Sequence, residues 1–445
     1  MQLRTSYGQI ISISLPIMLG SAAQNVIALT DSVFLYHLGE NDFAAIGFVG
    51  VFYLIVAAIG YGFSRGGQIL IARRLGERNP SGVGHTFYTT LYFELALALV
   101  MFLFMQYGCY YFFQLIVDSP IIFEKSLQFL EYRSWGVFFA YAGVSIVALY
   151  TGAARTTFIM IDTAILAGVN IALDYALIFG HWGFPAMGIA GAGLASTIAE
   201  VVAFVAFALY MLFDKGAKSW HIFSLPKFDL NKILQLYKLS LPIVAQAFVG
   251  MGSWFIFFGI VENLGERQLA ITNLVRMVYL VLSIPTWGFS AGINTMVSNF
   301  IGNRKRQAVV PIVVKTAWLS WVATMLITLP IVLFPHFFLY PLLGADEVSL
   351  IDDAKQVFYL LVLILSAFSI GAVMFNGLIG AGATWFGLKL QFFCAIGYLI
   401  YIYFVVNFSS GGVLWAWASE IFYWLAMLGL TIWYLRSKRW HALRW

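Results

Sequence analysis

Apolar residues run along this chain in long blocks separated by short polar stretches, and almost nowhere do they alternate singly with polar ones. The blocks predict helices at roughly 10–36, 43–72, 83–111, 122–148, 158–180 and 188–213. Six more follow at roughly 234–262, 269–299, 309–334, 352–379, 385–408 and 411–436. Each is long enough to cross a hydrocarbon core, which takes about 20 residues of helix. Strands in lipid would need a closed barrel with alternating faces, since open edges leave backbone groups unpaired, and the sequence has no such pattern. The predicted fold class is an all-α polytopic membrane protein with twelve transmembrane helices.

The second six helices repeat the first. Ser14-Leu-Pro-Ile17 recurs as Ser240-Leu-Pro-Ile243, an offset of 226. At the same offset Leu38-Gly-Glu40 matches Leu264-Gly-Glu266, Gly62-Phe-Ser64 matches Gly288-Phe-Ser290, and Gly66, Gly76 and Arg78 fall on Gly292, Gly302 and Arg304. Between 14 and 78 there are 17 identities in 65 ungapped positions, too many in too regular a register for shared composition. A weaker echo joins Gly152-Ala-Ala-Arg-Thr-Thr-Phe158 to Gly380-Ala-Gly-Ala-Thr-Trp-Phe386 at offset 228. Six is even, so both copies insert the same way round, and the chain is expected to form two pseudo-symmetric six-helix bundles in a parallel repeat. Residues 1–213 would form an N-lobe and 234–445 a C-lobe, joined by a linker at 214–233 with four lysines and Pro226. Such repeats suit alternating access around a shared cavity.

Composition agrees. Hydrophobic residues make up 61% and charged residues 10%, with a mean hydropathy of +0.87. A soluble chain carries about 25% charged residues. The net charge of +5 does not point to nucleic acid, because the basic residues sit in short loops between spans. One set of alternate loops holds Arg4, Arg73, Arg74, Arg78, Arg155, Lys215, Lys218, Lys227, Lys232, Arg304, Lys305 and Arg306, with Arg436, Lys438, Arg439 and Arg444 in the tail. The other holds Arg267, with Lys125, Arg133 and Lys355 near helix starts, and the acids Glu40, Asp42, Asp118, Glu266, Asp346 and Glu347. That bias predicts both termini in the cytoplasm and a multi-pass protein of the plasma (inner) membrane. Met1-Gln-Leu-Arg is followed by an apolar run too long for a signal peptide, so the first helix is expected to be retained. Cys109 and Cys394 lie in or near spans without metal-ligand spacing and read as inert thiols.

Within this apolar background, ionisable groups call for a reason, since one at the bilayer centre costs roughly 2.5–3.5 kcal/mol on insertion scales. Six acids fall inside predicted spans: Asp31, Glu94, Asp162, Asp174, Glu200 and Glu420. Five are in the first half, and the repeat maps Asp31 onto Phe257, Asn170 onto Tyr398 and Asp174 onto Ile402. From helix rise, Asp31, Asp174 and Thr197 lie within about 5 Å of one level. Asn170 and Asp174 share a helix face, as do Gln24 and Asp31. Convergence of those faces would make an oxygen-rich pocket fit for Na⁺, or a carboxylate pair able to carry a proton. Glu200 is a further candidate there, whereas Glu94, Asp162 and Glu420 read as hydrogen-bonded helix cross-links. The second half offers aromatic and polarisable residues instead, among them Met251, Trp254, Phe255, Phe258, Tyr279, Trp287, Met296 and Tyr398. Such a wall suits flat, lipophilic or cationic ligands. Arg65 and Arg276 are cations within spans. There is no HExxH, DDxxD or P-loop, so an intramembrane enzyme is not expected.

The chain resembles the multidrug and toxic compound extrusion (MATE) family over essentially its full length. The resemblance is carried by Leu15-Pro-Ile17 through Asp31-Ser-Val-Phe34, His37-Leu-Gly39 and Ala44-Ala-Ile-Gly47. It continues in Asn170-Ile-Ala-Leu-Asp174-Tyr-Ala-Leu-Ile-Phe-Gly180 and Gly188-Ile-Ala-Gly-Ala-Gly-Leu-Ala-Ser-Thr197. It implies an antiporter that admits Na⁺ or H⁺ and exports organic cations or other amphipathic compounds, with no cofactor beyond the coupling ion. It also implies that Asp31 is the key coupling residue, with Asn170, Asp174 and Thr197 beside it as the Na⁺ ligands if sodium is the ion. Pro16 corresponds to the family proline at which the first helix bends. Where some members carry acids in the seventh and tenth spans, this chain has Gly250 and Asn376, so coupling through the C-lobe is not expected. Gln24, Trp254, Tyr279, Arg276 and Asn376 are candidates to line the substrate cavity. The expected partners are a small organic substrate and the lipid bilayer, with no nucleic acid, and the chain is expected to be monomeric. The rival reading is a lipid-linked oligosaccharide flippase of the same superfamily, which would call for a basic cavity where acids outnumber Arg65 and Arg276.

Overall fold

A computed structural model describes residues 3–224, 226, 228–343, 348–408 and 412–443. Lys227, Asp346, Glu347 and Arg444, which enter the loop-charge comparison, lie outside the described residues. Among those described there is no strand; the chain is helix joined by short turns. The long helices are α1 (Tyr7–Leu38), α2 (Glu40–Gly76), α3 (Pro80–Gln114), α4 (Pro120–Gly152), α5 (Thr157–Phe179) and α6 (Ile189–Phe213). They continue as α7 (Leu230–Glu262), α8 (Glu266–Leu282 with Ile284–Gly302), α9 (Val309–Leu333), α10 (Val348–Gly380), α11 (Thr384–Phe408) and α12 (Gly412–Arg436). Eleven are unbroken candidate spans and α8 is the twelfth, bent by 44° between its two segments. The large side chains left facing outward support a lipid surround: Phe255 is 81% exposed and Phe213 79%. Water would not tolerate so much contiguous apolar surface.

Two helices depart from the straight spans that hydrophobic blocks predict. In α8 the break falls at Ser283, two residues before Pro285. Proline has no N–H to give the carbonyl four residues back and its ring crowds that carbonyl, so the ladder opens there. The Ser283 hydroxyl bonds the Tyr279 carbonyl at 2.7 Å. In α3, Phe104–Gly108 forms a single π-helical turn between α-helical segments, an inserted residue that re-aims the helix beyond it. Polar caps mark other ends. Asn79 accepts the Gly82 N–H at 2.9 Å ahead of Pro80, and Ser119 caps α4 ahead of Pro120.

The internal repeat is visible in backbone geometry. Arg78 and Arg304, 226 apart, both hold left-handed conformations, with φ of 58° and 59°. Each sits in the same helix-ending turn: Asn79 N–H bonds Arg74 O at 3.0 Å, and Lys305 N–H bonds Phe300 O at 2.8 Å. Ala154 and Gly382, 228 apart, end α4 and α10 alike, with φ of 56° and 90°. The last helix of each half starts at Ile189 and at Gly412, so the offset falls to 223 for that pair. There Ala195-Ser196-Thr197-Ile198 aligns with Ala418-Ser419-Glu420-Ile421.

The chain divides into two compact units, Leu19–Leu241 and Gln2–Met18 with Pro242–Trp445. In the first, α4 packs on α2, α3 and α6, and α6 also on α5. In the second, α10 packs on the second segment of α8, on α9 and on α12. Each unit holds one close helix approach at matching repeat positions. A Cβ on Gly66 would run into the Ser240 hydroxyl, which bonds Phe63 O at 3.1 Å. A Cβ on Gly292 would run into the Ser14 hydroxyl. The repeated serines and glycines thus pack helix starts closely against α2 and α8.

Candidate functional site

The acids of the first unit meet inside it. Asp174, on α5, is fully buried, and Asp31, on α1, is half-buried; their carboxyl groups lie within hydrogen-bond reach of each other. Apart from one another, Asp31 Oδ1 and both Asp174 oxygens meet no hydrogen-bond partner among the described residues. One turn earlier on α5, Asn170 is 1% exposed and donates through Nδ2 to Ser196 Oγ of α6 at 3.2 Å, leaving its Oδ1 unpartnered. Buried oxygens without donors are costly. Two carboxyl groups this close repel unless a proton or another cation lies with them.

A fixed cation stands beside this pair, and the sequence reading missed it. Arg133, grouped above with charges near helix starts, lies thirteen residues inside α4 and is 7% exposed. Its Nη1 and Nη2 donate to the two oxygens of Glu200 on α6, at 2.8 and 2.5 Å. Its guanidinium lies 3.9 Å from the centroid of the Tyr53 ring on α2, and its charge acts on Asp31. Gly136, one turn along α4, gives the pair room: a Cβ there would lie 2.5 Å from Arg133 Nη1, 2.6 Å from Glu200 Oε2 and 2.9 Å from Thr197 Oγ1. Thr197 donates its hydroxyl to Tyr132 O at 2.9 Å and so stands with the ion pair. The available signal was depth: Arg133 is too far along α4 for a loop charge.

The remaining candidates separate. Gln24 is exposed and donates to the Tyr61 hydroxyl at 2.9 Å. Trp254 and Tyr279 come together, ring centroids 5.5 Å apart. Arg276 is exposed, its guanidinium 5.1 Å from the Phe258 ring centroid. Asn376 donates to Ala372 O of its own helix at 2.9 Å. Pro16 lies inside α1, two residues before the boundary between units. Among the described residues no group of three or more His, Cys, Asp or Glu side chains could hold a metal ion. The ion pairs Lys125–Asp42 and Arg155–Asp214, at 2.8 and 2.6 Å, sit instead at helix ends.

Twelve spans in a parallel repeat, with ionisable groups inside a helical unit, define a class: polytopic membrane proteins built by internal duplication. More narrowly, the chain belongs to the MatE family, whose sequence pattern matches residues 16–176 and again 242–404. The two matches start 226 residues apart, the offset of the repeat. A probable multidrug resistance protein NorM from Thermotoga maritima is 22% identical over 97% of this chain and 92% of its own length. Another from Synechocystis is 26% identical over 66% of this chain, and that alignment spans 64% of the relative, just under two thirds. Among solved structures, one described as an outward-facing multidrug resistance MATE family transporter of the MOP superfamily superposes with a TM-score of 0.88 at 18% identity, covering 97% of this chain and 95% of that one. A MOP superfamily transporter from Pyrococcus furiosus, described as having a binding pocket of reverse polarity, gives 0.86 at 19% identity, with the same coverages. The chain is thus a multi-pass membrane protein of the MatE family.

Proposed function

We propose that this protein exports organic cations and related amphipathic compounds, and that entry of a cation at Asp31 and Asp174 drives the export. The observation that carries the reading is the meeting of two carboxyl groups, three of whose oxygens are buried with no other hydrogen-bond partner among the described residues. A cation that joins them removes their repulsion, so the occupied and empty sites favour different arrangements of the surrounding helices. The names of the NorM relatives support multidrug efflux as the transport task.

Between the two candidate ions, Arg133 favours the proton. A proton needs no coordination shell and binds directly to a carboxylate oxygen. A sodium ion needs several oxygens around it and would sit close to a guanidinium that already holds Glu200. The charge bias of the loops supports a chain set in the inner membrane with both termini in the cytoplasm.

The test is efflux of ethidium from proteoliposomes under an imposed pH gradient or an imposed Na⁺ gradient, measured separately. The pH gradient is expected to drive efflux and the Na⁺ gradient at constant pH is not. Asp31→Asn is expected to lower gradient-driven efflux at least tenfold. Full activity in that variant would refute the coupling role of Asp31, and efflux driven by Na⁺ alone would refute the choice of ion.

A further inference from the structure

The second unit has its own version of the first unit's site. The repeat carries Tyr53 to Tyr279 and Asp31 to Phe257 at offset 226, Asn170 to Tyr398 at 228, and Thr197 to Glu420 at 223. These four meet again. The Phe257 and Tyr398 rings lie 6.0 Å apart, the Tyr398 hydroxyl faces the Glu420 carboxylate, and Tyr279 lies within electrostatic reach of it. Glu420 is 3% exposed, the one acid of this unit buried among the described residues.

Its surroundings differ in kind. In the first unit Glu200 is balanced by Arg133. The same offsets carry Arg133 to Leu361 and Glu200 to Tyr423, so the position that holds the guanidinium in the first unit is apolar in the second. No basic side chain pairs with Glu420 among the described residues. One neutral donor reaches it, Trp424 Nε1 at 3.1 Å, and the Tyr398 hydroxyl and the Trp254 indole stand near it without a charge. Around it stand aromatic faces from α7, α8 and α11 and from its own α12. Trp254 of α7 lies 5.5 Å from Tyr279 of α8 and 6.2 Å from Trp417 of α12. Tyr279, Tyr398 and Trp417 are buried, whereas Trp254 is half-buried and stands at the edge of the cluster.

One carboxylate cannot supply the several oxygens that a hard inorganic ion takes. A carboxylate without a counter-charge, walled by indole and phenol rings, matches a large monovalent cation whose charge is spread over apolar groups. We infer that Glu420, with the aromatic side chains of Trp254, Tyr279, Tyr398, Trp417 and Trp424, forms a recognition site for lipophilic organic cations in the second unit. The inference rests on the exporter reading and adds where and by what chemistry substrate is held.

The probe is tetraphenylphosphonium, permanently charged and unable to give or take a proton, bound at equilibrium to the purified full chain in lipid nanodiscs. Glu420→Gln is expected to weaken binding at least tenfold, and Trp254→Ala several-fold. Trp254→Phe, a mild change, is expected to reduce the quenching of tryptophan fluorescence on ligand addition, which covers the case of a Glu420 variant that does not fold. Unchanged affinity in Glu420→Gln, or unchanged quenching in Trp254→Phe, would overturn this inference and leave the exporter reading standing. An effect of Glu420→Gln confined to the pH dependence of efflux would overturn it too, making the carboxylate a proton carrier only. No binding or transport of any lipophilic cation by the unaltered chain would overturn both readings.

Discussion

Arg133 and Glu200 show what buried charge demands at the scale of single residues. The guanidinium has a forked bond to one carboxylate and a ring beneath it. Removing one partner leaves the other charge uncompensated, a loss of about 3–5 kcal/mol. We expect Arg133→Gln and Glu200→Gln each to lower the melting temperature sharply, and the double variant to recover most of the loss. Additive losses in a double-mutant cycle would contradict the pairing. At the end of α6, Asp214 offers a pH test. Burial alone would raise its carboxyl group above the usual range, but the Gly216 N–H, the Arg155 guanidinium and the Tyr150 hydroxyl outweigh burial and hold it below. A carboxylate depressed in the folded state contributes stability that is complete above its ordinary pKa and fades as pH falls through the folded value. Asp214→Asn is therefore expected to be less stable at pH 7, by about 1–3 kcal/mol for hydrogen bonds to a charged group, with the gap closing below about pH 4. A gap that stays constant across thermal melts from pH 7 to pH 3 would rule this out. Asp31, Asp174 and Asn170 were legible in the sequence because a polar group in an apolar block stands out. Arg133 was not, because a basic residue near a span end reads first as a topology signal.

Helix existence was plain from hydrophobic length, while helix shape was not. The break in α8 depends on Pro285 and on the Ser283 hydroxyl bonded to Tyr279 O, and a single proline within an apolar block leaves hydropathy unchanged. The π-helical turn in α3 leaves no compositional mark at all. The repeated Ser-Leu-Pro and glycine positions were visible as a duplication, but their reason is steric. Ser240 lies against Gly66, with no space for a Cβ. Gly66→Ala is expected to destabilise the protein by about 1–3 kcal/mol through overpacking, and Ser240→Gly in the same chain to restore much of it. Failure of that rescue in thermal melts would show that the glycine serves something other than close approach. Pro16 tests the first helix as a moving part: Pro16→Ala is expected to cut ethidium efflux while leaving ethidium binding within threefold. Equal loss of both would make the proline a folding requirement instead.

For the whole molecule, duplication is the organising fact, and the differences between the copies carry the chemistry. Each half contributes six spans, and the second and fourth of each end in matching left-handed turns. Yet one copy gathers two aspartates, an asparagine and an ion pair, and the other gathers one glutamate among rings. The sequence exposed the first gathering through its excess of acids. It concealed the second, because the register shifts to 223 for the last helix of each half and Glu420 lines up with Thr197 only once the helix starts are known. Orientation remains a proposal that labelling decides. Cysteine at Asp118 is expected to react with an impermeant maleimide in intact cells, and cysteine at Ser437 only after permeabilisation. The reverse pattern would invert the topology. The central claim is that substrate and a proton displace one another through Asp31 and Asp174. Its most direct test is proton release into weakly buffered solution when saturating ethidium is added to the purified protein. About one proton per chain is expected from the unaltered protein and none from Asp31→Asn or Asp174→Asn. Equal release from all three, or none from the unaltered chain despite tight ethidium binding, would contradict the account.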